Sequence, residues 1–158
     1  NTIARMSATQ KFHCIFPDIV KKFTPIINLQ AQFNHPIAKD ILVYYGNVIP
    51  AEFTENAPDI TFKGAGNSLY TLMLVDGKSD MYLEEGYKPS IQWLITNIPG
   101  KTGDIKQGNE LVEYFGATPI KEYGPSRMVF LLFRQRLGEI DIPNFKPIKA
   151  HDFHEREP

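Results

Sequence analysis

One cysteine, Cys14, stands in 158 residues, and a single thiol cannot build an internal disulfide framework. That usage fits a reducing compartment. The chain has no apolar run long enough to span a bilayer and no Asn-x-Ser/Thr acceptor. An excess of either charge is missing too, with 17 Lys and Arg against 18 Asp and Glu for a net charge of −1. Bulk attraction to nucleic acid or to an anionic membrane is therefore excluded as the driving interaction, and only a local basic patch stays open. The first residues, Asn1 to Gln10, lack the continuous apolar stretch of a secretory signal.

Histidine is scarce, at 4 residues. His13 and His35 stand alone in sequence. His151 and His154 share a helical spacing beside Asp152 and Glu155, but that stretch is so polar that it reads as a solvated face. No metal site and no cofactor is expected. Ser79, Ser90 and Ser126 have no histidine beside them, and Ser126 follows Pro125 without a glycine-flanked elbow. A triad drawn from distant His13 or His35 is left open by spacing alone, and nothing requires one. No catalytic residues are assigned. Gly64-x-Gly66 and Gly100-x-x-Gly103 lack the Lys-Ser/Thr of a nucleotide loop.

What the chain does contain is punctuation. Its 12 prolines and 11 glycines suit short strands and long connections better than a helical bundle. Residues 29–33 alternate apolar and polar side chains, the period of a half-buried strand. Strands are also expected over 41–45, closed by a Gly46-Asn47 turn, and over 60–62. Residues 69–75 are apolar at nearly every position, which predicts a central strand buried on both faces. Strand character returns at 90–95, is turned by Asn97-Ile98-Pro99-Gly100, and appears again at 128–133. One or two helical turns are expected over 107–115. The segment from Asp76 to Pro89 is a loop of mixed charges and aromatics, a size that in small domains is usually functional or mobile. Tyr82 and Tyr87 within it are candidate protein-contact anchors.

The apolar runs open into corners that hold the candidate chemistry. These are Asp76-Gly77-Lys78-Ser79-Asp80, Gln92-Trp93 and Gly124-Pro125-Ser126-Arg127. Arg127 precedes a buried strand, so its guanidinium must find a partner. Asp76, at the end of another buried strand, is a plausible one. Such a pair would brace strand ends as readily as it would hold an anion.

Leu69-Tyr70-Thr71-Leu72, Trp93 through Gly100, Tyr114-Phe115-Gly116 with Pro119, and Arg127 followed by Phe130-Leu131-Leu132-Phe133-Arg134-Gln135 together resemble the phosphatidylethanolamine-binding protein family. The resemblance runs from about Asp18 to Gln135. It implies a mainly β fold, a large antiparallel sheet packed with a smaller one and a few short peripheral helices. It also implies an anion pocket at the sheet end, built from an Asp-Pro-Asp-x-Pro loop, a histidine before the tryptophan and a Gly-x-His-Arg turn. In this chain the loop reads Asp76-Gly77-Lys78-Ser79-Asp80, and the two histidine positions hold Gln92 and Ser126. The implied pocket, in degenerate form, is Asp76, Asp80, Gln92, Tyr114, Gly116, Ser126 and Arg127.

Shorter words, Tyr45-Gly46-Asn47 with Pro50 and Glu52, Ala57-Pro58, Asp76-Gly77 and Asp152-Phe153-His154, are similar to the family branch found in the large subunit of the mitochondrial ribosome. That similarity implies a non-enzymatic structural component of the ribosomal large subunit or a like assembly. Its neighbours would be ribosomal or other assembly proteins, with limited contact to ribosomal RNA, and its location the mitochondrion. The alternative is a phospholipid or small anionic ligand-binding module, placed in the cytoplasm. A single domain over 1–158 is expected, with a poorly ordered arm over about 1–15 and an extended tail over about 138–158. The family's last helix and strand are expected to be missing.

Overall fold

The computed structural model describes residues 21, 23–44, 46–77, 86, 89–119 and 121–150. Seven strands are found among them. A three-stranded antiparallel sheet has the order β2-β1-β3, with β1 Leu29–His35, β2 Lys39–Leu42 and β3 Asp59–Phe62. A four-stranded antiparallel sheet has the order β6-β5-β4-β7, with β4 Leu69–Asp76, β5 Ser90–Pro99, β6 Asn109–Val112 and β7 Met128–Arg134. Among the described residues short 3-10 turns, Ala51–Thr54, Ile105–Gln107 and Lys121–Tyr123, lie between strands. The architecture is thus mainly β, a larger sheet packed on a smaller one with short peripheral helical turns, as the sequence implies. Among the described residues no helix is long and apolar enough to cross a membrane.

The alternation of β1 decides how the sheets meet. Leu29, Ala31 and Phe33 turn inward and are buried, while Gln30 and Asn34 face water. Leu29 and Phe62 from the smaller sheet pack against Tyr70, Leu72, Leu74, Trp93, Ile95, Ile98 and Leu132 of the larger one. The other face of β4 is covered as well, since Met73 and Val75 join Val129, Leu131, Phe133 and Phe23 in a second cluster. β4 is therefore buried on both faces, the state its unbroken apolar run predicts. Leu72 and Leu132 are 0% exposed, so truncating either to Ala would cost about 2–5 kcal/mol.

Three local expectations change. Residues 107–115 do not form helical turns; after one 3-10 turn at Ile105–Gln107 the chain enters β6 and pairs with β5 through Leu94↔Val112, Ile95↔Glu110 and Thr96↔Asn109. Gly108 explains the switch. A Cβ there would meet the Thr96 carbonyl oxygen at 2.6 Å, so the missing side chain lets the backbone approach β5 and satisfy its edge. Of the turn expected at 97–100, Asn97 to Pro99 lie inside β5, and the chain turns only from Gly100, where Gly103 N donates to Pro99 O at 2.9 Å. The strand expected at 41–45 starts and stops earlier, because Asn47 closes a turn by accepting from Tyr44 N at 2.8 Å and donating to Leu42 O at 3.0 Å. His35 is likewise structural, its Nδ1 accepting from the Ile37 and Ala38 amides at 3.2 Å.

Asn97 is the device that carries β5 through the expected turn. Its φ is 60°, and the β4–β5 register slips by one residue between Tyr70↔Ile98 and Leu72↔Ile95, which marks a bulge. Asn97 Oδ1 accepts from Ile140 N at 2.8 Å and from Gln135 Nε2 at 2.9 Å, while its Nδ2 donates to Ile140 O at 2.8 Å. Gln135 Oε1 accepts in turn from Asn97 N at 2.8 Å and Thr71 Oγ1 at 2.9 Å. This knot ties the start of the tail to β5. Further on, Ile148 bonds the edge of β6 through Leu111 O and Glu113 N, both at 2.9 Å, so part of the extended tail closes a sheet edge.

Gly64 and Gly100, weighed in sequence as a phosphate cradle, serve packing instead. A Cβ on either would run into the Tyr70 ring, at 2.5 and 2.6 Å, and Tyr70 OH accepts from Ala65 N at 2.9 Å.

Candidate ligand site

The strand pattern collects the candidate residues at one end of the larger sheet. Asp76 ends β4 and is paired on one side with Ser90 and on the other with Met128. Residues directly opposed in an antiparallel sheet share a face, so Asp76, Ser90 and Met128 project together. Gln92 joins them through Ser90, whose Oγ accepts from Gln92 Nε2 at 2.8 Å. It does so from a second bulge, where the register slips between Leu74↔Trp93 and Val75↔Ile91 and leaves Gln92 as the extra residue. Ser126 and Arg127 enter from the segment leading into β7.

Burial makes this corner chemically unusual. Asp76 is 3% and Gln92 6% exposed. Gln92 Oε1 and Ser126 Oγ are buried without a hydrogen-bond partner. A buried polar atom left unpaired costs about 1–3 kcal/mol, and native structures hold few of them. Arg127 brings the positive charge. Its Nη2 donates to Gly77 O at 3.1 Å, and its own carbonyl accepts from Gly77 N at 2.9 Å. The fastening between these two corners therefore includes a clamp of residue 127 on the backbone just past Asp76.

Tyr114 and Gly116, assigned to the same pocket by resemblance, take a different job. Tyr114 OH donates to Thr54 O at 2.6 Å, and Thr54 Oγ1 accepts from Ala117 N at 3.0 Å. A Cβ on Gly116 would collide with that same Thr54 carbonyl oxygen. Burial pushes the Tyr114 hydroxyl well above its ordinary pKa, so it stays a neutral donor. These residues form a joint between the exit of β6 and the 3-10 turn Ala51–Thr54. The joint still borders the corner, because Phe115 N donates to Gln92 O at 2.9 Å and the Trp93 ring meets the Tyr114 ring edge-on at 5.3 Å.

Asp80, Tyr82 and Tyr87 lie outside the described residues, as do His13, His151 and His154. Among the described residues no group of three or more His, Cys, Asp or Glu could hold a metal ion. Sequence reasoning missed Ser90, which orients the Gln92 amide. Spacing gave no reliable signal, because Gln92 is the extra residue of a bulge and period-two alternation is broken there. It also missed Thr54 and Glu110, the latter accepting from Trp93 Nε1 at 2.8 Å. Both are distant in sequence from their partners.

A model of the phosphatidylethanolamine-binding protein family matches residues 40–157. "Protein MOTHER of FT and TFL1 homolog 2" of Oryza sativa subsp. japonica is 27% identical over 90% of this chain and 77% of its own length. "Protein TERMINAL FLOWER 1" of Arabidopsis thaliana is 30% identical over 85% of this chain and 71% of its own. The fold is also that of the crystal structure of a phosphatidylethanolamine-binding protein from Plasmodium falciparum, with a TM-score of 0.60 at 18% identity, covering 98% of this chain and 91% of that one.

These relatives overturn the ribosomal expectation. Relatives spanning most of the chain carry the names of plant proteins and not of ribosomal ones. The ribosomal-protein and ribosomal-RNA partners and the mitochondrial location rested on the same short words, and they fall with it. The structure gives the physical reason the words misled. Asn47 closes a local turn, Pro50 precedes a 3-10 turn, and Pro58 is buried before β3, roles any chain of this fold can fill with such residues. With the family model matching residues 40–157, the chain belongs to the phosphatidylethanolamine-binding protein family.

Proposed function

We propose that the corner of Asp76, Gln92, Ser126 and Arg127 is a small-ligand site, and that the protein is a binding module for an oxyanion such as phosphate or a phospholipid head group. One observation carries this reading: two buried polar atoms, Gln92 Oε1 and Ser126 Oγ, come without partners to the same sheet end as a guanidinium. A ligand that bonds them would recover the cost of their burial. Arg127 supplies the positive charge, and Asp76 nearly balances it. Binding is then carried by hydrogen bonds more than by net charge, and affinity should be modest.

Calorimetric titration of the whole chain with phosphate and with phosphoethanolamine tests the reading. Saturable heat is expected, lost in Arg127→Leu. The absence of heat from both ligands at millimolar concentration would refute it.

A further inference from the structure

We infer that the outer face of the smaller sheet is a second binding site, for a neutral, hydroxyl-rich ligand of the sugar class. It is independent of the corner at the end of the larger sheet. A row of side chains on β1 carries the inference. Gln30, Gln32 and Asn34 alternate outward against the buried Leu29, Ala31 and Phe33, and exposed Asn28 continues the same spacing just ahead of the strand. Carboxamides therefore stand in file along the central strand of the sheet. The register sets Asp59 and Thr61 of β3 beside Gln32 and Gln30, and sets Leu42 and Asp40 of β2 beside Gln32 and Asn34. Val43 N donates to Ala31 O at 2.9 Å and carries the β1–β2 ladder one step further, which brings Tyr44 opposite Gln30.

Asn and Asp are depleted in strands, where β-branched and aromatic side chains fit the pleat best. This face departs from that preference at Asn34, Asp40 and Asp59, and local departures of this kind collect at functional sites. Gln30, Gln32, Leu42, Asp59 and Thr61 line a groove of ≈ 240 Å³, room for one sugar ring. Its polar wall is set before a ligand arrives, since Gln32 Nε2 donates to Asn34 Oδ1 at 3.1 Å and Asn34 Nδ2 donates to Asp59 Oδ2 at 2.6 Å. A carboxamide carries both a donor and an acceptor, so either of its orientations meets a hydroxyl, which is likewise both. Adjacent hydroxyls on a sugar ring match the paired heteroatoms of an amide or a carboxylate. Leu42, 38% exposed, and Tyr44, 64% exposed, add apolar surface for the C–H face of the ring. Charge decides against other ligands. The outward register positions of β1, β2 and β3 hold Asp40 and Asp59 and no Lys or Arg, so a phosphate, a carboxylate or a nucleic acid is repelled. Among the described residues no group of three or more His, Cys, Asp or Glu could hold a metal ion here.

The test titrates the whole 15N-labelled chain with the methyl glycosides of glucose, galactose and mannose at tens of millimolar, with cyclohexanol as the ring that lacks adjacent hydroxyls. Binding is read from the side-chain NH2 resonances of Asn28, Gln30, Gln32 and Asn34. At least one glycoside should shift them saturably, with a dissociation constant of roughly a millimolar, the scale set by so few ligand atoms. Cyclohexanol should leave them in place, because a site built to bond hydroxyls rejects the analogue without them. Gln32→Val should weaken the glycoside about tenfold or more while holding or raising the melting temperature, since valine suits a strand better than glutamine. Gln30→Thr, tested alongside, should do the same, and Tyr44→Ala should weaken binding with little effect on the fold. No shift with any of the glycosides would overturn the site. Equal shifts with cyclohexanol would overturn the hydroxyl recognition, and affinity unchanged in both glutamine variants would overturn the role of the amide row.

Discussion

Replacing Asn97 by alanine tests the reading of β5 as a strand carried through a would-be turn by one side chain. Asn97 is 8% exposed and its side chain makes hydrogen bonds of 2.8, 2.8 and 2.9 Å to Ile140 and Gln135. Each such bond contributes about 0.5–1.5 kcal/mol net, and the Ile140 pair belongs at the lower end because that residue is exposed. The three sum to roughly 2–3 kcal/mol. The backbone adds a second term, since φ is 60° and a residue with a Cβ pays about 1–2 kcal/mol there unless, as with Asn, its side chain bonds locally. Asn97→Ala should therefore destabilise by about 3–5 kcal/mol, a large part of the 5–15 kcal/mol typical of a domain.

Asn97→Gly separates the two terms. It loses the same bonds but not the strain, so it should be more stable than the alanine variant by roughly 0.5–1 kcal/mol even after its greater unfolded-state entropy is counted. Urea unfolding followed by Trp93 emission measures both, and a cycle with Gln135→Ala should give a coupling of about 0.5–3 kcal/mol. An alanine variant within 0.5 kcal/mol of the unaltered chain, or more stable than the glycine variant, would refute the reasoning.

Tyr114→Phe should cost about 1–2 kcal/mol by orphaning Thr54 O, read as a lower urea midpoint. Because burial raises the Tyr114 pKa in the folded state above its ordinary 10.0, the folded chain holds that proton more tightly than the unfolded one. The resulting stability is fully present below pH 10 and is lost as pH rises above it toward the folded value, so the phenylalanine variant should show a shallower alkaline loss of stability. Gly116→Ala should destabilise by about 1–3 kcal/mol, since its Cβ would meet the Thr54 carbonyl and not a movable side chain. A melting temperature equal to that of the unaltered chain would contradict the joint. Ser126→Ala should raise stability without ligand by about 1 kcal/mol, removing a buried unpaired hydroxyl, and should weaken phosphate binding in the same protein. Destabilisation of the free protein would show that the hydroxyl has a partner.

How legible the fold was depended on whether a segment's fate was local. Residues 69–75 announced a two-faced central strand because every position is apolar, and no distant partner is needed to know that such a run must be covered. Residues 107–115 were misread because helical and strand spacing compete over so few residues. The winning factor, the close approach allowed by Gly108 to Thr96 O, belongs to tertiary structure. Asn97 failed for the mirror reason. Asn-Ile-Pro-Gly is turn chemistry, and only Gln135 and Ile140, some forty residues on, convert it into a bulge. The site divides in the same way. Asp76, Gln92, Ser126 and Arg127 could be placed at neighbouring strand ends from apolar runs alone, whereas the use of Tyr114 by Thr54 crosses 60 residues and leaves no trace in spacing.

That use of Tyr114 bears on what the corner can do. The resemblance put its hydroxyl into an anion pocket, where it would be a donor. In this chain the hydroxyl is spent on Thr54 O, its ring steadies Trp93, and the next backbone amide, of Phe115, holds Gln92 O. One side of the site is thus fixed from behind, by a joint reaching across to the connection between β2 and β3. With Tyr114 committed to Thr54, the residues that meet at the corner without it are Asp76, Gln92, Ser126 and Arg127. The same pairing of β5 and β6 that sets this joint therefore holds the backbone of Gln92 from behind.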